Sequence, residues 1–230
     1  MNSVCLAVYN GGQHIKRQLE SIVSQLDSGD EIIISDDGST DNTLAIINDL
    51  ADARISVIKN TGKRGPVGNF ENALRHAAGE IIFLCDQDDI WLNNKVTEHL
   101  LAHSGYDLVV SDAVVIDAGN NILFESFFKA RNSRKGIIRN LKANSYIGCC
   151  MSFNRSILNA ALPFPNNIHM HDWWIGLVAE VKGKVLFLNK PLMQYIRHEN
   201  NASGTLVKRL PLTQQIRNRL HLIYNLIKLK

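Results

Sequence analysis

The stretch Phe83-Leu84-Cys85-Asp86-Gln87-Asp88-Asp89-Ile90-Trp91 sets three carboxylates within four residues, directly after the apolar run 81–84. Such a run reads as a buried strand. Acids crowded at a strand end repel one another, and a hard divalent cation such as Mg²⁺ or Mn²⁺ offsets that repulsion because it selects carboxylate oxygen. A helix-capping acidic turn is the plainer explanation, since Asp favours helix starts. Capping uses one Asp or two, and leaves the third unexplained. The carboxyl end of a strand is also where ligands bind in α/β sheets. A second acidic pair, Asp36-Asp37, follows the run 31–35 and leads into Gly38-Ser39-Thr40-Asp41. A turn with a cap accounts for Gly38 and Ser39 but not for two adjacent acids. Two later clusters, His169-Met170-His171-Asp172-Trp173-Trp174 and Arg197-His198-Glu199-Asn200-Asn201, gather histidine, acid, amide and indole.

These residues need elements to hold them. Residues 4–8 read as a strand ending at the turn-forming Tyr9-Asn10-Gly11-Gly12. Ile15, Leu19, Ile22, Val23 and Leu26 recur at helical spacing, and Asp27-Ser28-Gly29-Asp30 ends that helix. Residues 31–35 and 55–58 predict two more strands. Between them lies a helix with Leu44, Ile47 and Leu50 inward, capped by Thr40 or Asp41. A Gly- and Lys-bearing loop, 59–68, leads to a helix over 69–78 and then to the strand that delivers the acids. Strand–helix alternation repeated three times predicts a parallel sheet covered on both faces. Tyr9-Asn10, Asp36-Asp37, the 59–65 loop and Asp86–Asp89 would then line one crevice. Beyond Trp91 the spacing predicts a helix over 92–103 and a strand over 108–112, then weaker alternation. A turn at 118–120, a basic loop, a helix from about 173 to 181, and strands over 185–188 and 192–196 follow.

The chain has 230 residues, 45% hydrophobic and 20% charged, enough for one large domain. No run of about 18 apolar residues is present to span a membrane, and the start has no signal-peptide pattern. Four cysteines without CxxC spacing, Cys5 and Cys85 in apolar strands, suit a reducing cytoplasm. Residues 126–142 carry six Lys and Arg and no acid, and six more follow Glu199, again with no acid. Setting those twelve aside from the net +3 leaves −9, so an acidic body carries two basic segments that attract phosphates.

The stretches Val8-Tyr9-Asn10-Gly11, Ser35-Asp36-Asp37-Gly38-Ser39-Thr40-Asp41, Cys85-Asp86-Gln87-Asp88-Asp89-Ile90-Trp91 and His171-Asp172-Trp173-Trp174 resemble those of the inverting family 2 glycosyltransferases, especially bacterial polysaccharide and O-antigen enzymes. The likeness runs from Ser3 to about Gly204. It implies the α/β GT-A fold, a Rossmann-like, mostly parallel sheet flanked by helices. Residues 1–105 would form the sugar-nucleotide half, 106–204 the acceptor half, and 205–230 a basic amphipathic C-terminal helix. The resemblance implies Mn²⁺ or Mg²⁺ as cofactor, held by Asp88 most directly, with Asp86 of the DXD motif and the late His198. Ala7, Tyr9, Asn10, Asp36, Asp37, Asn69, Gln87 and Arg197, with the same Asp86 and Asp88, would bind the nucleotide-sugar. Asp36 or Asp37 would accept the N3–H of uridine or thymidine. Asp89, Trp91, Trp173 and Trp174 would meet donor sugar or acceptor, and Asp172 would be the base that deprotonates the acceptor hydroxyl. Glu199 follows His198 where family members often have Gly.

The activity so implied is transfer of a hexose from a nucleotide-diphospho-sugar, UDP favoured and dTDP open, to a glycolipid or oligosaccharide acceptor. The expected place is the cytoplasmic face of an anionic membrane, with no nucleic-acid partner. A receiver domain is excluded, because strand three ends in Lys59-Asn60 and not in a phosphoacceptor Asp. A nucleotidyltransferase usually has a Gly-rich loop with Arg after strand one, and Tyr9-Asn10-Gly11-Gly12 has no Arg. A non-catalytic sugar-nucleotide-binding module would not need both Asp86/Asp88 and Asp172. These last two stay open as alternatives.

Overall fold

The computed structural model describes residues 1–197 and 211–229. His198 and the segment to Gly204 therefore lie outside the described residues. In the first half, strands β1 (Asn2–Val8), β2 (Glu31–Asp36), β3 (Ile55–Lys59) and β4 (Ile81–Cys85) are all parallel, in the order β3-β2-β1-β4. They alternate with α1 (Ile15–Val23), α2 (Thr43–Asp49) and α3 (Pro66–His76). Right-handed crossovers put α1 and α2 on one face and α3 on the other. Accordingly α1 packs on α2, and α3 on β1 and β2. The chain leaves β1 towards β2 on one side and enters β4 on the other. The crevice between the carboxyl ends of β1 and β4 is thus the sheet's switch point.

The second half departs from the mostly parallel sheet. Strand β6 (Leu108–Asp117) does not pair with β4; β8 (Met151–Asn154) lies between them, antiparallel to both. A 3₁₀ turn at Gly148–Cys150 brings β8 into that position. Strand β9 (Val185–Arg197) runs parallel to β6, while the short β5 (Ile90–Trp91) and β7 (Ile122–Phe124) add antiparallel pairs. The sheet is therefore mixed, in the order β3-β2-β1-β4-β8-β6-β9-β5 with β7 on β6. The two strands expected over 185–196 are one, because the step in pairing from Ser111↔Leu188 to Asp112↔Pro191 absorbs Asn189 and Lys190 as a bulge, a place where Pro is tolerated. The helix expected from Leu92 begins later, as α4 (Lys95–Ala102), since Ile90 and Trp91 are taken by pairing with β9. The basic loop folds into two short helices, α5 (Phe127–Arg131) and α6 (Ile137–Lys142). Helices α7 (Arg155–Ala161), α8 (His171–Lys182) and α9 (Leu212–Lys228) complete the described residues.

The core is one cluster spanning both halves, from Val4, Leu6 and Ile34 through Phe83 and Leu84 to Val110, Phe153 and Trp174. The four cysteines are free and buried. Helix α3 begins at Pro66, a favoured first position, and packs closely on the loop before it. A Cβ on Gly68 would stand 1.8 Å from the Lys63 carbonyl oxygen. Gly68→Ala must therefore push that loop away from α3. Overpacking of this kind costs about 2 kcal/mol, so thermal unfolding should show a midpoint lower by roughly 5 °C. An unchanged midpoint would mean the loop moves freely.

Candidate active site

The crevice between β1 and β4 is pinned by side chains of the protein itself. The Gln87 side chain closes a two-bond clamp on Tyr9, accepting its N–H at 2.9 Å and donating to its carbonyl at 3.2 Å. The ends of β1 and β4 are thereby tied together. A Cβ on Gly11 would meet Gln87 Oε1 at 2.5 Å, which is why glycine stands there. Tyr9 itself is exposed, and Ala7 is half-buried on β1. Asn10 takes a left-handed conformation, φ 48°. Its N–H donates to Ser39 Oγ at 2.9 Å and its side-chain oxygen accepts Thr40 N–H at 2.8 Å. Asn69 is buried on α3 and donates to the Val8 carbonyl at 3.1 Å.

The Asp36–Asp37 pair shapes two loops at once. Asp36 accepts the N–H groups of Gly38 and Ser39 at 3.1 Å. Asp37 accepts from Asn60 Nδ2 and Gly65 N–H, both at 2.8 Å, and so draws the Lys63–Arg64 loop over the crevice. Each carboxylate oxygen has two lone pairs, so capacity for a further donor remains.

The acids after β4 converge with a residue that the sequence did not single out. One oxygen each of Asp86 and Asp89 and the Cys149 sulfur lie within 4.8 Å of one another. Burial first, then the charges of Asp88 and Asp172, raises the Asp86 carboxyl to about 7. Burial, Asp88 and Asp86 raise Asp89 well above the usual carboxylate range. Asp89 Oδ1 accepts the Ile196 N–H at 3.2 Å, while its buried Oδ2 has no hydrogen-bond partner. An unpartnered carboxylate oxygen beside a second crowded carboxylate fits a divalent cation. Cys149 is pushed up by its contact with Cys150, then by burial and Asp89, so it stays a neutral thiol at pH 7. That leaves the carboxylates as the hard donors. Asp88 stands beside this cluster and not within it, half-buried, its charge felt by both neighbours.

Lys95, fully buried, donates to the Cys149 carbonyl at 2.6 Å and lies 4.7 Å from the centre of the Trp91 ring. It supplies an internal positive charge that lowers Asp86. A lysine at the start of an amphipathic helix looks like a surface residue in sequence. Only the pairing of β5 with β9 turns it inward.

Asp172 sits in the first turn of α8. Its Oδ1 accepts the Trp173 N–H at 2.6 Å, and the Gly148 N–H also bonds to it. Burial outweighs these bonds and raises its carboxyl to about 6. His171 stacks on Phe70 with ring centres 4.0 Å apart, and burial holds it down at about 3, so it is neutral. Asp172 lies against Gly148, and the adjoining Cys149 has its sulfur against Asp86 and Asp89, so the start of α8 stands beside the acids that follow β4.

The tryptophans are placed differently from the sugar-stacking role. Trp173 is buried and donates its indole N–H to Asn140 O at 2.8 Å; Trp174, 2% exposed, donates to Ala161 O at 2.9 Å. Trp91 is buried against Phe83 and Lys95. All three are core residues; Trp173 and Trp174 are so because α8 is packed on by α6, α7 and α3 and has little outward face. Arg197 ends β9 with its guanidinium 5.8 Å from the Phe124 ring, on the β7 edge.

Comparison with known proteins identifies the family and the fold. The family model "Glycosyl transferase family 2" matches residues 3–162. The dTDP-rhamnosyl transferase RfbG of Shigella flexneri is 30% identical over 86% of this chain and 73% of its own length. The UDP-Glc:alpha-D-GlcNAc-diphosphoundecaprenol beta-1,3-glucosyltransferase WfgD of Escherichia coli is 27% identical, covering 76% of this chain and 68% of its own. Among solved structures, S. aureus TarS 1-349 in complex with UDP-GlcNAc superposes with a TM-score of 0.75 at 20% identity, over 97% of this chain and 66% of that one. The acids at the switch point thus stand on a GT-A-like fold, and the chain belongs to glycosyl transferase family 2.

Proposed function

We propose that the chain transfers a hexose, with inversion, from a nucleotide-diphospho-sugar to a hydroxyl of a lipid-diphosphate-linked or oligosaccharide acceptor in surface polysaccharide synthesis. The donor favoured is a UDP-sugar, with dTDP-sugar as the alternative base. The observation that carries this reading is the Asp86–Asp89–Cys149 cluster with Asp172 beside it, held against Gly148, the neighbour of Cys149. WfgD, a UDP-Glc:alpha-D-GlcNAc-diphosphoundecaprenol glucosyltransferase, supports the donor and acceptor classes, and RfbG, a dTDP-rhamnosyl transferase, supports the alternative base.

In this reading residues 1–105 hold the donor and 106–204 the acceptor. Tyr9 flanks the base, and Asp36 or Asp37 accepts its N3–H. Asp86, with Asp88 and Asp89 beside it, would hold Mn²⁺ or Mg²⁺. When bound, such an ion supplies charge compensation to the departing diphosphate. Asp172 takes the proton of the acceptor hydroxyl as that oxygen bonds to the anomeric carbon and the bond to the diphosphate breaks. The buried, neutral His171 and the Trp173–Trp174 pair fix the first turn of α8, so the carboxylate is held in place. The enzyme would work at the inner face of the cell membrane.

A base must be ionised to act, and Asp172 titrates at about 6. Turnover at saturating donor should therefore rise with pH through about 6 and level off above it. A profile flat from pH 5 to 8 would remove Asp172 from this role. The proposal as a whole is tested by incubating the protein with a panel of sugar nucleotides, Mn²⁺ and lipid-diphosphate-linked sugars. Transfer from one donor class is expected. Tight UDP binding without transfer to any acceptor would make the chain a binding module.

A further inference from the structure

We propose that the outward face of α9, together with the cations of α5 and α6, is a docking surface for an anionic phospholipid bilayer. The helix has two faces with opposite jobs. Asn218, Leu222 and Leu226 are buried against α6 and α8, and Arg219 fixes the seat by donating to the Leu141 and Lys142 carbonyls at 2.9 and 2.8 Å. Packing on the domain therefore uses one side only. The other side carries Leu212, Ile216, Leu220, Ile223, Tyr224 and Ile227, at spacings that form one stripe. Ile216, Leu220 and Ile227 are 48%, 59% and 64% exposed. An apolar stripe this long on a water-facing helix marks an interaction surface.

Charge selects the partner. Arg217 and Lys228 are exposed along the edge of the stripe. Because α6 lies against α9, the basic segment 126–142 is brought next to them, with Lys129, Arg131, Arg134, Lys135 and Lys142 exposed and Ile138 74% exposed. Neither 126–142 nor the stretch after Glu199 contains an acid; Asp172 and Glu180, on α8, lie between the two segments in sequence. A protein partner would need a matching acidic, apolar groove. A bilayer with anionic headgroups offers both features over any area, and a helix with this division lies in the headgroup layer.

The placement also suits the reading of a lipid-linked acceptor, on which the biological rationale, though not the test, rests. Helix α8 carries Asp172 in its first turn and packs on α9 through its later turns; Val181, near its end, lines an apolar groove of about 190 Å³ with Ile223 and Ile227. Asp172 is then about 14 Å along the helix from that groove, at 1.5 Å per residue. This is a reach suited to a sugar carried above a membrane-embedded diphosphate.

The test is co-sedimentation of the full chain with vesicles of phosphatidylcholine alone or mixed with phosphatidylglycerol, without donor or acceptor. Binding should need the anionic lipid and weaken with added salt. Ile216→Glu with Leu220→Glu touches no core contact, so circular dichroism and UDP affinity should be unchanged while partitioning falls more than tenfold. Arg217→Glu should cost about fivefold or more, the factor equivalent to about 1 kcal/mol per cation at such a surface. Equal binding to neutral vesicles, or binding to neither, overturns the proposal. So does a dimer in solution that Ile216→Glu dissociates, which would give the stripe to a second copy. Because no sugar is present, these failures are separate from a failure of the transferase reading.

Discussion

Asp172→Asn is expected to bind the nucleotide-sugar as the wild type does and to turn it over at least a hundredfold more slowly. Asparagine keeps the volume of the side chain and an oxygen that can accept the Trp173 and Gly148 N–H groups. The first turn of α8 should thus stay as it is. What asparagine cannot do is take a proton, and loss of a general base typically costs on the order of 10² to 10⁴ in rate. The effect should fall on kcat, with the donor KM little changed, and the rise in rate through about pH 6 should vanish with it. Donor affinity measured by titration calorimetry separates this outcome from misfolding. A variant that keeps more than about a tenth of wild-type turnover removes Asp172 from the base role.

The second large effect concerns the acids after β4. Asp86→Ala and Asp88→Ala should each lower turnover by orders of magnitude, and excess EDTA should do the same to the wild type, because the diphosphate charge is then uncompensated. Full activity in EDTA would exclude the metal. A readout independent of catalysis follows from the ionisation of the site. The Asp86 carboxyl is raised from 3.8 to about 7 in the folded chain. A raised carboxyl contributes stability below its unfolded value and loses it as pH rises through the folded one. The metal-free site is therefore most strained at neutral pH and above, where a cation would relieve it. A cation must displace the proton below that. Mn²⁺ should raise the unfolding temperature clearly at pH 8 and little at pH 5, and Asp86→Ala should abolish that difference. An equal shift at both pH values would place the ion elsewhere.

Much of the first half can be read from the chain because its signals are local. Strands β1, β2 and β4 are unbroken apolar runs, and each turn that carries a site residue is punctuated by Gly, Asn or Asp within a few positions. The acids of Asp36-Asp37 and Asp86–Asp89 stand out for the same reason. The second half is decided by partners far away in sequence. Strand β8 is four residues long and is defined by pairing with Ile81–Phe83 on one side and Leu108–Val110 on the other. Helices α5 and α6 come from a segment whose visible feature is charge, not periodicity. Cys149 and Lys95 join the site through tertiary contacts, and nothing near them in the chain distinguishes them from a buried thiol and a surface lysine. The tryptophans show the converse error. An indole beside an acid invites a sugar-stacking role, but the helix that carries it is surrounded.

The place of β9 in the sheet has a consequence for how the protein is made. Leu108 of β6 pairs with Val185 and Asp117 with Arg197, so the partner strand emerges from the ribosome long after β6 has been synthesised. Until then the first half can assemble from contacts close in sequence, while one side of β6 waits with its backbone N–H and C=O groups unpaired. Such an edge is a template for another nascent chain, and its pairing is slow to close because the separation is long. A polypeptide cut before Val185 would keep that edge bare, and would be prone to aggregate however well strands β1 to β4 had folded.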